Sequence, residues 1–190
     1  MGRTRWSQAP MDESDITARL NDRDGDLAPE VYARLRALAQ RQIAGHRASA
    51  TLNATALVNE AWLKLSEYPQ EWQSRSHFLA AMARVMRHVL IDRARELLAE
   101  RRGGDQQRIS FEHAEREPSS ELDLADLLAL DEALSTLRDM DPRLERVLEL
   151  RLFGGLSTEE TAAHLGVSEP TVKRDLRAAR AFLGTRLKFE

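Results

Sequence analysis

The chain has 190 residues, 42% of them hydrophobic, with a net charge of −3 and no cysteine. That length gives room for one medium domain or two small ones. The absence of cysteine excludes disulfides and thiolate metal sites, and no apolar run approaches the ~20 residues of a membrane span.

The opening residues, MGRTRWSQAPMDESD, lack the apolar centre of a secretory signal, so the expected compartment is the cytoplasm and no membrane partner is expected. Residues 1–14 read as a flexible tail in which Met11, after Pro10, is an alternative start. DITARLNDR, from Asp15, predicts a short helix ended by a turn cluster of Asn, Asp and Gly. The next stretch, APEVYARLRALAQRQIAGH, carries an apolar stripe of Val31, Leu35, Leu38 and Ile43 at helical spacing. Its arginines, Arg34, Arg36, Arg41 and Arg47, read as a solvated face.

Ser49 to Leu52 breaks the pattern, and TALVNEAWLKL resumes it with Leu57, Val58, Ala61, Trp62 and Leu65 on one face. Pro69 ends that helix. A polar loop carrying Trp72 leads to a long helix expected from about Ser76 to Arg101, whose stripe is Phe78, Met82, Val85, Met86, Val89 and Leu90. Its other side carries Arg84, Arg87, His88, Arg93 and Arg95, so the local charge is basic where the whole chain is acidic; a merely solvated helix face is the alternative. Residues 103–122, with a Gly pair and a Pro-Ser-Ser run, read as an acidic flexible linker. LADLLALDEALSTL and PRLERVLELRLF follow as amphipathic helices, the second opened by Asp141 as N-cap and Pro142 in the first turn.

The last stretch is the most informative. In LSTEETAAHLGVSEPTVKRDLRAARAFL a short amphipathic segment from Ser157 to Leu165 meets Gly166, able to take the left-handed conformation that ends a helix. Ser168 is an N-cap candidate, and Pro170 sits in the following first turn. Ala162 leaves room for two helices to cross, with Leu165, Val167, Val172 and Leu176 as their apolar contacts, which predicts a helix-turn-helix. Its second helix would expose Thr171, Lys173, Arg174, Arg177 and Arg180, a density suited to phosphates and guanine edges in a major groove. The alternative is a helical hairpin with a solvated basic face.

The five histidines show no metal-binding spacing, and phosphate-loop, dinucleotide, nucleophile and zinc-protease motifs are missing, so no cofactor, metal or catalysis is expected. A net charge of −3 is unusual for a protein that grips DNA by itself, which points to a partner that supplies affinity.

LVNEAWLKL, then HFLAAMARVMRHVLIDRARE, a linker, and LERVLELRLFGGLSTEETAAHLGVSEPTVKRDLRAARAFL together resemble the extracytoplasmic-function (ECF) class of bacterial RNA polymerase sigma factors, in a divergent ECF-like branch. The resemblance runs over nearly the whole chain beyond residue 15. It implies an all-α protein of two small helical domains: sigma region two at 15–102 and a region four helix-turn-helix at 123–190. Region two would bind the clamp of core RNA polymerase and open the minus-ten promoter element; region four would bind the flap and read the minus-thirty-five element. The linker would run toward the RNA exit path, with Asp105, Glu112, Glu115 and Glu117 as nucleic-acid mimics. The free protein is expected to be a monomer.

Carried over residue by residue, the resemblance implies minus-ten contacts at Phe78, Arg84, Arg87, His88, Asp92, Arg93 and Arg95, and base capture at Trp72, for which core packing is the alternative. It implies groove contacts at Lys173, Arg174 and Arg177, phosphate contacts at Thr171 and Arg180, and polymerase contacts at Asn53, Leu57, Glu60 and Lys64. Two departures stand out. Ala81 occupies a position where many members have an aromatic residue. The acidic cluster that opens the clamp-docking helix is replaced by Asn53, Thr55 and Ala56, leaving Glu60. A phosphate on Thr51, or on Thr55 as second choice, would restore charge beside free helix N–H groups, with a Ser/Thr protein kinase as partner and an anti-sigma factor as the less favoured regulator. Ordinary helix capping by these threonines is the alternative. A stand-alone helix-turn-helix regulator is the competing function.

Overall fold

In the computed structural model, residues 17, 18, 20, 21, 27, 29–44, 53–67, 71–103 and 119–187 are described. Among the described residues seven helices have bounds that can be given: α1 (Pro29–Ala44), α2 (Ala54–Ser66), α3 (Arg75–Gly103), α4 (Ser119–Met140), α5 (Pro142–Leu152), α6 (Thr158–Leu165) and α7 (Glu169–Arg186). Thr17, Ala18 and Leu20, within the expected short first helix, are helical. No strand occurs among the described residues, and no helix among them is long and apolar enough to cross a membrane.

Local chemistry sets most of the helix ends. Asn53 caps α2 by accepting from the Thr55 amide at 2.9 Å, and Asp141 caps α5 by accepting from the amides of Arg143 and Leu144. Ser157 and Glu160 close a reciprocal capping box on α6, satisfying two amide donors at once. Gly166 takes φ 66° and ends α6, and Ser168 then caps α7.

The 29-residue α3 organises the rest. Its predicted stripe packs as expected, with Phe78, Met82 and Met86 fully buried and α2 against it. The other side is covered as well. Leu79, Ala80, Ala83, Ile91 and Ala94 are also buried, because α4, α5 and α6 pack onto α3. A helix apolar on two sides is one sandwiched between layers, and a single apolar core runs through both halves of the chain. The tip of this contact is the turn after α5. A side chain at Gly154 would meet the Leu150 carbonyl at 2.8 Å and Ala83 at 3.2 Å; at Gly155, which has φ 60°, it would meet Leu38 at 3.2 Å.

Two expectations about organisation change. α3 runs to Gly103 and α4 begins at Ser119, so helix enters the expected linker at 103–122 from both ends. The acidic positions Asp105, Glu112, Glu115 and Glu117, and the modification candidate Thr51, lie outside the described residues. Arg34 is not on a solvated face: it donates to Glu160 of α6 at 2.8 and 3.0 Å and to the Gly155 carbonyl at 2.8 Å.

Candidate nucleic-acid interface

The helix-turn-helix forms where the spacing predicts it. Ala162, Val172 and Leu176 are buried, and Leu165 and Val167 are half-buried between α6 and α7. Burial of Val172, Ala179 and Leu183 fixes which face of α7 looks inward, so Lys173, Arg174, Arg177 and Arg180 are exposed and Thr171 is half-buried at the start of the helix. Lys173 pairs loosely with Glu169 at 3.4 Å, and Arg177 only reaches back to a carbonyl of its own helix. These cations are free to meet a phosphate or base edge.

Beyond Glu169 in its first turn, α7 carries one further acid, and it points inward. Asp175 is 3% exposed, with Arg143 of α5 at 2.8 Å and Arg174 at 3.4 Å. The sequence signal was available: Asp175 stands three residues after Val172 and four before Ala179, on the apolar face, where a charge needs a buried partner.

The basic side of α3 has a different setting. Arg84 and Arg95 are well exposed, each 60%, and His88 is exposed beside them. Arg87 is not: it is 4% exposed, donating through Nε to Asp131 at 2.9 Å and through Nη1 to Glu145 at 2.5 Å, with Glu149 at 3.5 Å. Placing Arg87 on a free basic face therefore needs correction for this conformation, because α4 and α5 cover it. Arg84 and Arg95 reach the same carboxylates, Glu149 at 3.9 Å and Asp131 at 3.4 Å. A polar cleft of about 470 Å³ follows this seam, with His88, Ser135 and Arg138 on its walls.

Arg93 faces α2 and shares a groove with Lys64 and Arg95. It pairs with Glu96 at 2.8 Å and lines a groove of about 240 Å³ with Asn53, Ala56, Leu57 and Glu60. That groove unites three of the residues expected to meet polymerase. The fourth, Lys64, pairs with Glu60 at 3.4 Å in a neighbouring groove. Thr55, at the first turn of α2, accepts a hydrogen bond from Arg36 at 3.2 Å.

Trp72 is buried. Its ring stands edge-on to Phe78 at 5.1 Å and to His77 at 5.4 Å, and Asn21 makes two hydrogen bonds to its backbone. Trp62 packs on the same Phe78 at 6.0 Å. Phe78 and Trp72 thus form the centre of an aromatic cluster in this conformation, and Ala81 is half-buried one turn along.

Glu160 was missed in the sequence as anything beyond a helix residue. Besides the Arg34 bonds it accepts from Arg75 at 3.0 Å and from the Ser157 amide. Burial works to raise its pKa, but the Arg34 hydrogen bond, the Ser157 amide and the charges of Arg34 and Arg75 outweigh it and hold the group at about 2. Only its membership in a Ser-x-x-Glu capping pattern was visible beforehand.

An all-α chain with a basic, outward-facing second helix in a C-terminal helix-turn-helix is built for duplex recognition. A family model described as ECF sigma factor matches residues 19–189, and the chain belongs to that family. As such it is an alternative sigma factor that directs transcription, with core RNA polymerase and promoter DNA as partners; the family is not a class of enzymes. No match was found among curated proteins or among solved structures.

Proposed function

We propose that the two halves divide the work of promoter recognition. Residues 15–102 act as region two, docking on the polymerase clamp through the groove of Asn53, Leu57, Glu60 and Lys64 and engaging the minus-ten strand through the basic side of α3. Residues 123–190 act as region four, docking on the flap and reading the minus-thirty-five duplex. Lys173, Arg174 and Arg177 take base edges, and Thr171 and Arg180 take phosphates. The observation that carries this reading is the two-sidedness of α7, with Val172, Leu176, Ala179 and Leu183 inside and four cations outside.

The finer part concerns activation. The first turn of α2 has no acidic residue, and a phosphate on Thr51 or Thr55 would supply charge there. The Arg36 guanidinium beside Thr55 gives a phosphate there a partner within the chain, which supports Thr55, the second choice. A Ser/Thr kinase, in preference to an anti-sigma factor, would then be the regulator.

The test is capture of core polymerase by the purified chain, followed by promoter-directed transcription with the reconstituted enzyme. Binding and initiation by a monomer support the reading. A dimer that binds a palindromic duplex equally well without polymerase, and never initiates, replaces it with a stand-alone regulator.

A further inference from the structure

Asp175 is the charged residue among the buried positions of α7, and it brings together two arginines that do not share a helix. Arg143, near the start of α5, approaches Oδ2 at 2.8 Å through Nε, and Arg174 approaches Oδ1 at 3.4 Å through its own Nε. Each arginine thus turns only its inner nitrogen toward the acid. The Nη groups of both have no partner among the described residues, and the Arg143 side chain remains 47% exposed. An arginine that serves only to neutralise buried acids looks different in this chain. Arg87 is itself buried and puts all three nitrogens on Asp131 and Glu145.

The backbone under Arg143 is fixed. Pro142 opens α5, and the Asp141 cap accepts from the Arg143 amide at 2.9 Å, so the side chain leaves from a set point. It emerges on one flank of α7. At ~100° per residue, Thr171, Arg174 and Ala178 lie along that flank with Asp175 at the border of the buried face, while Lys173, Arg177 and Arg180 lie toward the other. Ala178 is exposed and small, and Thr171 carries no charge, so on the Asp175 side α7 itself offers only Arg174. A helix with its side chains is ~10–12 Å across and the major groove ~12 Å wide, so a reading helix fills the groove. A cation arriving beside it from another helix then meets the phosphates of the groove wall and not a base edge.

We infer that Arg143 is a further DNA contact, directed at a backbone phosphate on the flank where α7 has no second cation, and that Asp175 is the positioning residue that holds Arg143 beside Arg174. This rests on α7 being the duplex reader of the proposed function, and adds to it a residue from another helix. The charges agree with the assignment. Two guanidinium groups over one carboxylate leave a net positive charge at the surface, and because Asp175 is buried beneath them a phosphate would face guanidinium and not carboxylate.

The sign of one substitution separates positioning from simple charge. Removing an acid near a DNA-binding face ordinarily tightens binding to every duplex, because a repulsion of phosphates is lost. Asp175→Asn should instead weaken binding, since an amide holds neither arginine by charge. The probe is a duplex selected from a randomised pool by core polymerase carrying the wild-type chain, with a mixed-sequence duplex of equal length as reference. Arg143→Gln should lower the steepness of log affinity against log salt by ~1 and weaken binding to both duplexes by the same factor, the signature of a lost phosphate contact. Arg143→Lys should keep the slope. If Arg143→Gln does not fold because Asp175 has lost a partner, the chain carrying both Arg143→Gln and Asp175→Asn, which has no buried charge at this position, is read in its place. An unchanged slope in the folded variant overturns the phosphate assignment. So does a loss confined to the selected duplex, which would make Arg143 a base contact. Tighter binding of both duplexes by Asp175→Asn overturns the positioning role. A wild-type chain that selects no duplex with core polymerase removes the duplex-reading role of α7 and this inference with it; wild-type selection with an unmoved Arg143 slope removes this inference alone.

Discussion

Asp175 of α7 meets Arg143 at the start of α5 with 2.8 Å between Oδ2 and Nε. The approach is a charge contact without hydrogen-bond alignment, and Oδ2 is buried with no hydrogen bond among the described residues. The acid thus ties α7 to α5. Asp175→Ala should cost about 0.5–1.5 kcal/mol of stability, the net value of an ordinary side-chain contact, because the freed Arg143 and Arg174, 47% and 65% exposed, return to water. Thermal melting reads the loss, and a melting temperature equal to wild type would show that the contact does not anchor α7.

On the outer face of the same helix, Arg174→Ala and Arg177→Ala should each weaken minus-thirty-five discrimination by ~1–3 kcal/mol, the value of a bidentate arginine on a guanine edge. Polymerase capture should stay at wild-type level. Unchanged promoter selectivity of both variants in reconstituted transcription would refute the assignment of the reading face.

Arg84→Ala and Arg95→Ala should impair strand opening and leave recruitment intact, and a pre-melted template should restore their activity. Arg87→Ala should behave differently. It leaves Glu145 and Glu149 buried opposite an empty site, and removing one partner of such a cluster costs about 3–5 kcal/mol. A melting temperature for Arg87→Ala no lower than for Arg84→Ala would contradict the burial seen here.

Phosphorylation of Thr51 or Thr55 should raise affinity for core polymerase, and either Thr51→Ala or Thr55→Ala should abolish the gain. Equal, tight binding before and after kinase treatment would end the idea; the alternative of helix capping already falls to Asn53, which holds the N-cap of α2.

Glu160 gives a pH signature. Its folded-state pKa of about 2 lies below the ordinary 4.5, so its contribution is fully present above pH ~4.5 and fades as pH falls toward 2. The stability difference between wild type and Glu160→Gln should follow that curve in denaturant titrations. Partial exposure of the group limits the size of the difference. A difference that stays constant down to pH 2 would mean that Arg34 and Arg75 do not hold this carboxylate.

What the sequence disclosed and what it hid divide along contact range. The Gly166 turn, the Ser168 cap and the inward residues of α7 are set within a few positions of one another, so spacing and residue type reveal them. Arg87 and Glu145 are 58 positions apart, and Arg34 and Glu160 are 126 apart. No periodicity links such residues, and an arginine opposite an apolar stripe looks solvated until another layer covers it. The early start of α4 has a local cause. Pro-Ser-Ser-Glu serves equally as a turn and as the opening of a helix, and only the packing of Leu124 and Leu127 beyond it tips the choice.

The caps at Asp141, Ser157 and Ser168 all draw their hydrogen bonds from residues no more than three positions away. From α5 onward the second half therefore reaches the seam with its helix-start amides satisfied from within. Separating it from α3 would break ion pairs and wet an apolar strip but would melt no helix turn. Any such separation would be that of a rigid body, on the microsecond-to-millisecond scale of domain rearrangements and not on that of refolding.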